Sequence, residues 1–355
     1  MKKYIILLVP LFFINTGTFS QRLGDFKPAV TKFETKNFSD SNKRIFISEF
    51  NVHFQIFNEI MDFKQGGKMF HKGVKGNATA EIAVGLGGVS EEALIKTTDK
   101  LYTEFVNNLQ SKGFNLVSIQ EASITDVYSD WSQQAGGTVR KSLIPGLVSV
   151  SPNNYNYYIE RNNKGNEKKK KGPLAMVGAN SHNNMLSHQL DDAVVTTVNL
   201  YIIFTEYGST FNPGGAGVKI KPNLRLTDYY AIMNKKEKKG FVQFKGAQSV
   251  DRVNSQVAFI SGKRGMNPKA SFTGTLKKPL EINGIVNEDK IKSFARGGFD
   301  NVGTSNAFYT IYSADSKNAK ELKNLEVDGE KFANGAYMAG KKMIEQQTQA
   351  FLSSF

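Results

Sequence analysis

Residues 44–57 read RIFISEFNVHFQIF, and this run provides the clearest strand signal in the chain. Apolar side chains occupy both parities of the alternation that a β-strand imposes. Ile45 and Ile47 fall on one predicted face. The opposite face takes Phe46, Phe50, Val52 and Phe54. This pattern predicts a strand that is buried on both faces, or nearly so.

The next regular pattern pairs a short strand with a helix. Residues 79–84 read TAEIAV, a short apolar strand that is followed by the glycine-rich turn 85–88. Ser90 is a suitable helix cap, with Glu91 and Glu92 in the first turn. Apolar residues then recur at helical spacing, and Gly113 supplies the C-terminal stop.

The same order of elements repeats directly downstream. Residues 114–119, FNLVSI, predict a short buried strand. Ser123 and Asp126 resemble a capping box ahead of a second helix through Trp131. The order strand, helix, strand, helix indicates an α/β layer.

The second half of the chain predicts mainly strands. Residues 193–205, AVVTTVNLYIIFT, are rich in β-branched side chains, and an extended segment follows at 218–232. Shorter candidate strands lie at 241–244, 256–261, 270–276 and 307–312. Turn residues separate these segments, which favours an antiparallel sheet. Asp328 is the expected cap of a closing helix over about 329–351.

These elements predict an α+β or α/β fold. The N-terminal strand–helix–strand–helix layer is expected to share a mixed sheet with the later antiparallel strands, and the C-terminal helix to pack on that sheet. Residues 21–43 are expected to form an irregular leader. Residues 44–355 are expected to form a single domain with a long, exposed, basic insertion at about 151–190.

The first 20 residues predict a secretory signal peptide. Lys2 and Lys3 precede an apolar run of about ten residues, and small residues stand near Ser20. An uncleaved membrane anchor is the alternative interpretation. Export is therefore expected, to the periplasm, to the outer membrane or to the medium.

Composition narrows the classes of partner and of chemistry. The formal net charge is +14, which favours anionic surfaces such as lipid headgroups or acidic glycans, although solubility alone also explains it. Nucleic acid is not expected outside the cytoplasm. The chain contains no cysteine, so disulfides, thiol nucleophiles, thiolate metal sites and a lipidated cysteine are excluded.

Two groups of residues are candidates for contact with a partner. Three tyrosines lie beside a basic run in the predicted insertion; the set is Tyr155, Tyr157, Tyr158, Lys168, Lys169, Lys170 and Lys171. A second basic turn contains Lys235, Lys236, Lys238 and Lys239. A solvated surface is the usual explanation of such charge runs. Trp131 could stack on a sugar, but packing in the core is the favoured interpretation.

Motifs for a cofactor or a metal are incomplete. The run 85–90, GLGGVS, nearly meets the dinucleotide fingerprint, and Glu121 could be cast as its ribose acid. The spacing to Glu121 is too long, so a tight strand-to-helix turn is favoured and no cofactor is expected. His182, His188, Asp191 and Asp192 could share a divalent ion, but ordinary polar loop residues are favoured and no metal is expected. The G-x-S-x-G motif of many serine hydrolases does not occur.

The order of elements resembles one envelope family. The strand near 44–54, the amphipathic helix, the run Gly113-Phe114-Asn115-Leu116-Val117 and the following Gln120-Glu121 are similar to the periplasmic α/β core of the curli-secretion-channel family and to the N-terminal domain of the TolB family. That resemblance implies an α/β scaffold that works in envelope assembly or export. The channel family is anchored through a lipidated cysteine, which this chain lacks.

Function is expected to be non-catalytic. The favoured hypothesis is an exported envelope protein that binds or assembles other envelope or secretion components. One alternative is a secreted hydrolase that acts on glycans or lipids. Another is a subunit of an outer-membrane secretion pore, and self-association into a homo-oligomer also stays open.

Overall fold

The computed structural model describes residues 22–64, 78–161, 167, 175–209, 215–235, 248–286, 291–296, 301–302, 308–309, 314–315 and 322–355. The helices are α1 Glu91–Ser111, α2 Ile119–Ser123, α3 Ala175–Gln189 and α4 Gly329–Leu352. The strands are β1 Pro28–Phe33, β2 Arg44–Gln55, β3 Phe57–Lys64, β4 Ala78–Gly87, β5 Asn115–Leu116, β6 Trp131–Ala135, β7 Val139–Lys141, β8 Leu147–Val150, β9 Asn156–Glu160, β10 Val194–Ser209, β11 Gly215–Leu226, β12 Tyr230–Lys235, β13 Gln248–Val253, β14 Gln256–Ser261, β15 Ala270–Leu276, β16 Leu280–Glu281, β17 Ile291–Arg296, β18 Asn301–Val302, β19 Phe308–Tyr309, β20 Ala314–Asp315 and β21 Leu322–Glu326.

Several predicted features lie outside the described residues: the signal peptide, the candidate strand at 241–244, Lys168 to Lys171, Lys236, Lys238 and Lys239. Among the residues described, no helix combines the length and the apolar character that crossing a membrane would require.

Strand β2, which begins at Arg44, is central in the larger sheet. In that sheet, β2 pairs with β10 in parallel and with β8 in antiparallel orientation. The main path runs β1-β15-β14-β10-β2-β8-β7, and the far half of β10 also pairs with β11. A mixed sheet of this kind confirms the predicted α+β class, in which parallel pairs from the α/β layer join antiparallel strands.

A β-bulge at Ser48 decides which side chains of β2 share a face. The register of β2 against β10 passes from Ile47 directly to Glu49, so Ser48 is an extra residue. Ile45 and Ile47 before the bulge and Phe50, Val52 and Phe54 after it therefore all enter the main core. The predicted division is confirmed for Ile45 and Ile47, which lie opposite Phe46. It is wrong for Phe50, Val52 and Phe54, because periodicity gives no signal for the extra residue. The opposite face of β2 is consequently polar beyond the bulge.

Helices α1 and α4 cover the apolar face of the sheet. Ser90 caps α1 through its side chain, which accepts a hydrogen bond from the N–H of Ala93, and Asp328 caps α4 in the same manner. At the end of α4, Phe351 stacks on Phe259 with ring centroids 3.8 Å apart and also packs edge-on against Phe38. The prediction of a closing helix packed on the sheet is confirmed.

A second, smaller sheet places the two long helices side by side. There β4 pairs with β3 in antiparallel orientation and with β21 in parallel orientation. Helices α1 and α4 follow these parallel neighbours, so they begin next to each other. Gly88, with φ of +83°, lies between them, and a Cβ at this position would be 2.0 Å from the carbonyl oxygen of Val327. The turn therefore requires glycine.

The leader is not irregular. Residues 28–33 form β1, which pairs with β15 along its whole length, and Phe38 is fully buried in the 3-10 helix Thr35–Ser41. Five of the six β1 residues are exposed, because β1 is an edge strand. An exposed edge strand carries no apolar alternation, so the sequence gives no sign of it.

The second helix is shorter than predicted. The side chain of Ser118, not Ser123, caps it by accepting a hydrogen bond from the N–H of Glu121 at 3.1 Å, and the helix ends at Ser123. The strand predicted at 114–119 is reduced to β5. Trp131 begins strand β6 rather than lying on a helix.

The basic insertion at 151–190 contains regular structure. It includes β9, which pairs with β6, and α3, whose Leu186 is buried between the helix and the sheet. The sequence of α3 is mostly polar, and its contacts with β10 and β14 stabilise a helix that local pattern does not predict. The prediction of a long exposed loop is therefore wrong for these two elements.

Candidate binding surface on the polar face of the central sheet

Polar side chains line the sheet face that lies opposite α1 and α4. The bulge at Ser48 turns the side chains of β2 that follow it onto this face, where the neighbouring strands β7, β8 and β10 also contribute. We call this surface the polar face; its residues are Glu49, Asn51, His53, Arg140, Ser149, Asn199 and Tyr201. Most of them are half-buried. Within the described part of the chain, the helix near the polar face is α3, which packs at one end of that face.

The amides and hydroxyls of the polar face are bonded to one another. The His53 Nδ1 lies 2.7 Å from the Ser149 hydroxyl, and its Nε2 lies 3.3 Å from the Asn199 Oδ1. The Asn199 amide also donates to Glu49 at 3.0 Å. In the same network, the Ser151 hydroxyl donates a hydrogen bond to Asn51 at 2.7 Å. These bonds fix each side chain in one orientation.

His53 is held neutral within this network. Burial lowers the pKa of His53 from 6.5 to about 4, and the hydrogen bond with Asn199 opposes that shift only in part. The imidazole also stacks on Tyr201 with a centroid distance of 4.3 Å. The cation of this face is Arg140, whose guanidinium lies 4.9 Å from the ring of Tyr157 and donates to Ser151 at 3.3 Å.

A cleft with aromatic walls opens at the α3 end of the polar face. We call it the aromatic cleft; it is lined by Ser48, Glu49, Val127, Tyr128, Trp131, Tyr158, His182, Asn183 and Leu186. Tyr128 and Tyr158 stack with a centroid distance of 4.1 Å. Trp131 lies 5.4 Å from Tyr128 and meets the edge of His182 at the same distance. Aromatic rings therefore form the walls of the cleft, and Glu49 supplies a carboxylate.

A buried polar cluster closes the other end of the polar face. Gln55 Oε1 accepts the backbone N–H groups of Phe204 and Thr205, each at 3.1 Å. The Thr205 hydroxyl in turn lies 2.8 Å from the hydroxyl of Tyr230. All of these groups are buried and hydrogen-bonded, so this end is structural rather than accessible.

The predicted partner-binding tyrosines divide between core and cleft. Tyr155 and Tyr157 are only 5% and 6% exposed, and the Tyr155 hydroxyl donates to the carbonyl of Ile47 at 3.1 Å. Their prediction as contact residues is wrong, because both rings lie in the main core. Tyr158 is half-buried and belongs to the aromatic cleft. Lys168 to Lys171 lie outside the described residues, so their predicted role stays a prediction.

The glycine turn that resembles a dinucleotide site is filled by protein. A Cβ on Gly87 would overlap the side chain of Glu326 at 2.2 Å, and Gly88 is in equally close contact with Val327. Glu121 forms an ion pair with Arg44. The turn therefore serves the packing of β4 against β21, as the tight-turn interpretation predicts.

The residues considered for a metal site are dispersed. His182 lies in the aromatic cleft, whereas His188 lies 3.5 Å from Asp192, which is also paired with the ammonium of Lys269. Asp191 pairs instead with Arg44 at 3.3 Å. Among the described residues, no three His, Asp or Glu side chains are grouped to hold a metal ion.

Sequence reasoning overlooked the polar face, although a signal for it existed. Glu49, Asn51, His53 and Gln55 recur at every second position inside an otherwise apolar strand. That period-2 pattern marks one polar face of a strand. Comparison of the chain with protein-family models, with curated proteins and with solved structures yields no match.

Proposed function

We propose that the chain is an exported, non-catalytic envelope protein that binds or assembles other envelope or secretion components. The polar face is the surface through which it contacts them. The expected signal peptide supports export, and the net charge of +14 supports an anionic or acidic partner.

The single observation that carries this proposal is the preorganised polar face. Its side chains project from strands, and their mutual hydrogen bonds hold them in place before any partner arrives. Amides, hydroxyls and one guanidinium offer both donors and acceptors. Such a surface suits specific polar recognition, because a partner loses little entropy in ordering it.

The resemblance to the curli-secretion-channel and TolB N-terminal families stays part of the proposal. A parallel central pair of strands, a long amphipathic helix and a closing helix on one sheet are compatible with it. We propose a related role in envelope assembly, without a lipid anchor.

A hydrolase is the second candidate, because Ser149, His53 and Asn199 form a hydrogen-bonded chain. That order of hydroxyl, imidazole and amide is the general arrangement of a nucleophile, a base and an orienting group. Such an enzyme would attack an ester carbonyl through the Ser149 hydroxyl and form an acyl-enzyme, while His53 takes the hydroxyl proton and passes it to the departing alcohol.

The surroundings of Ser149 favour binding over catalysis. Ser149 is 6% exposed and lies in the middle of β8, paired with both β2 and β7. The strand pairing therefore occupies the backbone around it, which leaves little to bind an oxyanion. The lowered pKa of His53 also makes it a weak base at neutral pH.

Cell fractionation followed by capture of the tagged full chain tests the proposal. We expect the protein in the envelope fraction, with co-purifying envelope components that Arg140→Glu loses. Arg140→Gln provides a milder second variant. Lys96→Glu is the matched control, because it reverses a charge on exposed α1 at the other side of the sheet.

Three results would contradict the proposal in different ways. An intact Met1 on protein from the cytosol would refute export. Unchanged partners for both Arg140 variants would refute the polar face as the contact surface. Hydrolysis of glycan or lipid substrates that Ser149→Ala abolishes would establish the second candidate instead.

A further inference from the structure

The aromatic cleft combines features of a small-molecule site at one end of the polar face. Four separate parts of the chain build it: the bulge of β2, the 3-10 helix Asp126–Tyr128, the β6–β9 pair and α3. The space that it encloses is small, about 20 Å3, and its mouth is open to solvent. A ligand ring would therefore lie against the aromatic wall at the mouth of the cleft rather than in an enclosed cavity.

One wall of the cleft is a rigid aromatic platform. Tyr158 stacks on Tyr128 with an angle of 17° between the rings, and Tyr128 is itself 6% exposed. Trp131 packs against Tyr128 and is half-buried. Large aromatic rings that are already immobilised offer apolar area at low entropic cost.

Polar side chains complete the lining of the cleft. The bulge at Ser48 turns Glu49 into the cleft, and bulges commonly redirect a side chain beside a functional site. Asn199 holds the Glu49 carboxylate by a hydrogen bond of 3.0 Å. Asn183 and the exposed His182 also line the cleft, and the His182 ring meets Trp131. The cleft therefore presents an anionic acceptor, an amide and an imidazole around one aromatic wall.

We propose that the aromatic cleft binds a single neutral sugar ring. The apolar C–H face of the ring packs on Tyr158 and Trp131, and its hydroxyls bond to Glu49, Asn183 and His182. The carboxylate disfavours acidic sugars and phosphates, and the amide adds donor groups that a simple cation would not use. This inference goes beyond the proposed function, since it requires neither export nor an envelope partner.

Trp131 makes the proposal directly measurable, because it is the one tryptophan of the chain. Its fluorescence is recorded while the full-length protein is titrated with glucose, galactose, mannose and N-acetylglucosamine at millimolar concentrations. Saturation-transfer NMR of each sugar provides a second readout. We expect a saturable signal with at least one neutral sugar, and none with glucuronic acid at equal concentration.

Variants locate the signal in the cleft. Tyr158→Ala and Glu49→Gln should each weaken sugar binding by about tenfold or more, a loss of about 1.4 kcal/mol. Tyr229→Ala is the matched control, because Tyr229 is 54% exposed and does not line the cleft. Far-UV circular dichroism checks that each variant is folded.

Several outcomes would overturn the proposal. Absence of binding to all four sugars by both readouts would do so, as would equal binding by Tyr158→Ala, Glu49→Gln and wild type. A saturable response to tetramethylammonium chloride in place of the sugars would assign the cleft to an organic cation instead.

Discussion

Replacement of Gln55 by leucine should destabilise the protein by several kcal/mol. Hydrogen bonding between β2 and β10 ends with Ile202 opposite Phe54, and the side chain of Gln55 continues it. Its Oε1 accepts the N–H groups of Phe204 and Thr205, each at 3.1 Å. Gln55 is 1% exposed and both strand residues are fully buried, so water cannot replace the lost acceptor.

The expected loss follows from counting these two N–H groups. Each buried donor left without a partner costs about 1–3 kcal/mol, so Gln55→Leu should lower the free energy of unfolding by about 2–6 kcal/mol. The Thr205 hydroxyl is not counted, because it keeps the Tyr230 hydroxyl at 2.8 Å. A loss of this size is a large part of the roughly 5–15 kcal/mol that stabilises a typical domain.

Urea unfolding, followed through Trp131 fluorescence, measures this loss as a lower midpoint at an unchanged slope. Gln346→Leu makes the same chemical change at an exposed position of α4 and should alter stability by no more than about 0.5 kcal/mol. If Gln55→Leu costs less than about 1 kcal/mol at an unchanged slope, the two N–H groups do not depend on Gln55.

Two further perturbations test other parts of the fold. Because burial lowers the pKa of His53 from 6.5 to about 4, the unfolded chain binds more protons than the folded chain between these two pH values. The free energy of unfolding, measured with urea, should therefore fall as the pH drops from about 6.5 to about 4. His53→Gln should remove the part of this fall that His53 causes. An imidazole NMR titration of His53 centred near pH 6.5 would refute this. Gly88→Ala should destabilise the protein strongly, since its Cβ would be 2.0 Å from the Val327 oxygen. Gly265→Ala is the control: its φ is +64°, but a Cβ there would meet no atom within 4 Å, so it should cost about 1 kcal/mol by the same measurement. Equal losses for the two alanines would show that close packing at Gly88 is not the cause.

Local signals in the sequence were enough to predict a helix where that helix has both a capping residue and an apolar stripe. Ser90 and Gly113 bracket α1 as predicted, and Asp328 begins α4. Caps and apolar stripes depend on residues only a few positions apart, so they can be recognised in a single sequence. The fold class followed from their order.

Features that depend on distant contacts could not be predicted in the same way. The extra residue at Ser48 is defined only by its register with β10, yet it decides which side chains form the polar face. Tyr155 and Tyr157 were expected at the surface because basic residues follow them, but both rings lie in the main core, where Tyr155 packs against Tyr102 of α1. The aromatic cleft joins four segments, and no local pattern shows that Glu49 and Trp131 line the same cleft.

Contacts between segments far apart in the sequence have a kinetic consequence. Phe351 packs against Phe38, and β4 requires β21 as its parallel neighbour, so neither contact can form until the later segment has been synthesised. Non-local pairing of this kind slows folding, since distant segments must first find each other. For a polypeptide proposed to be threaded through a translocation channel, that delay prolongs the interval in which it is still extended enough to pass.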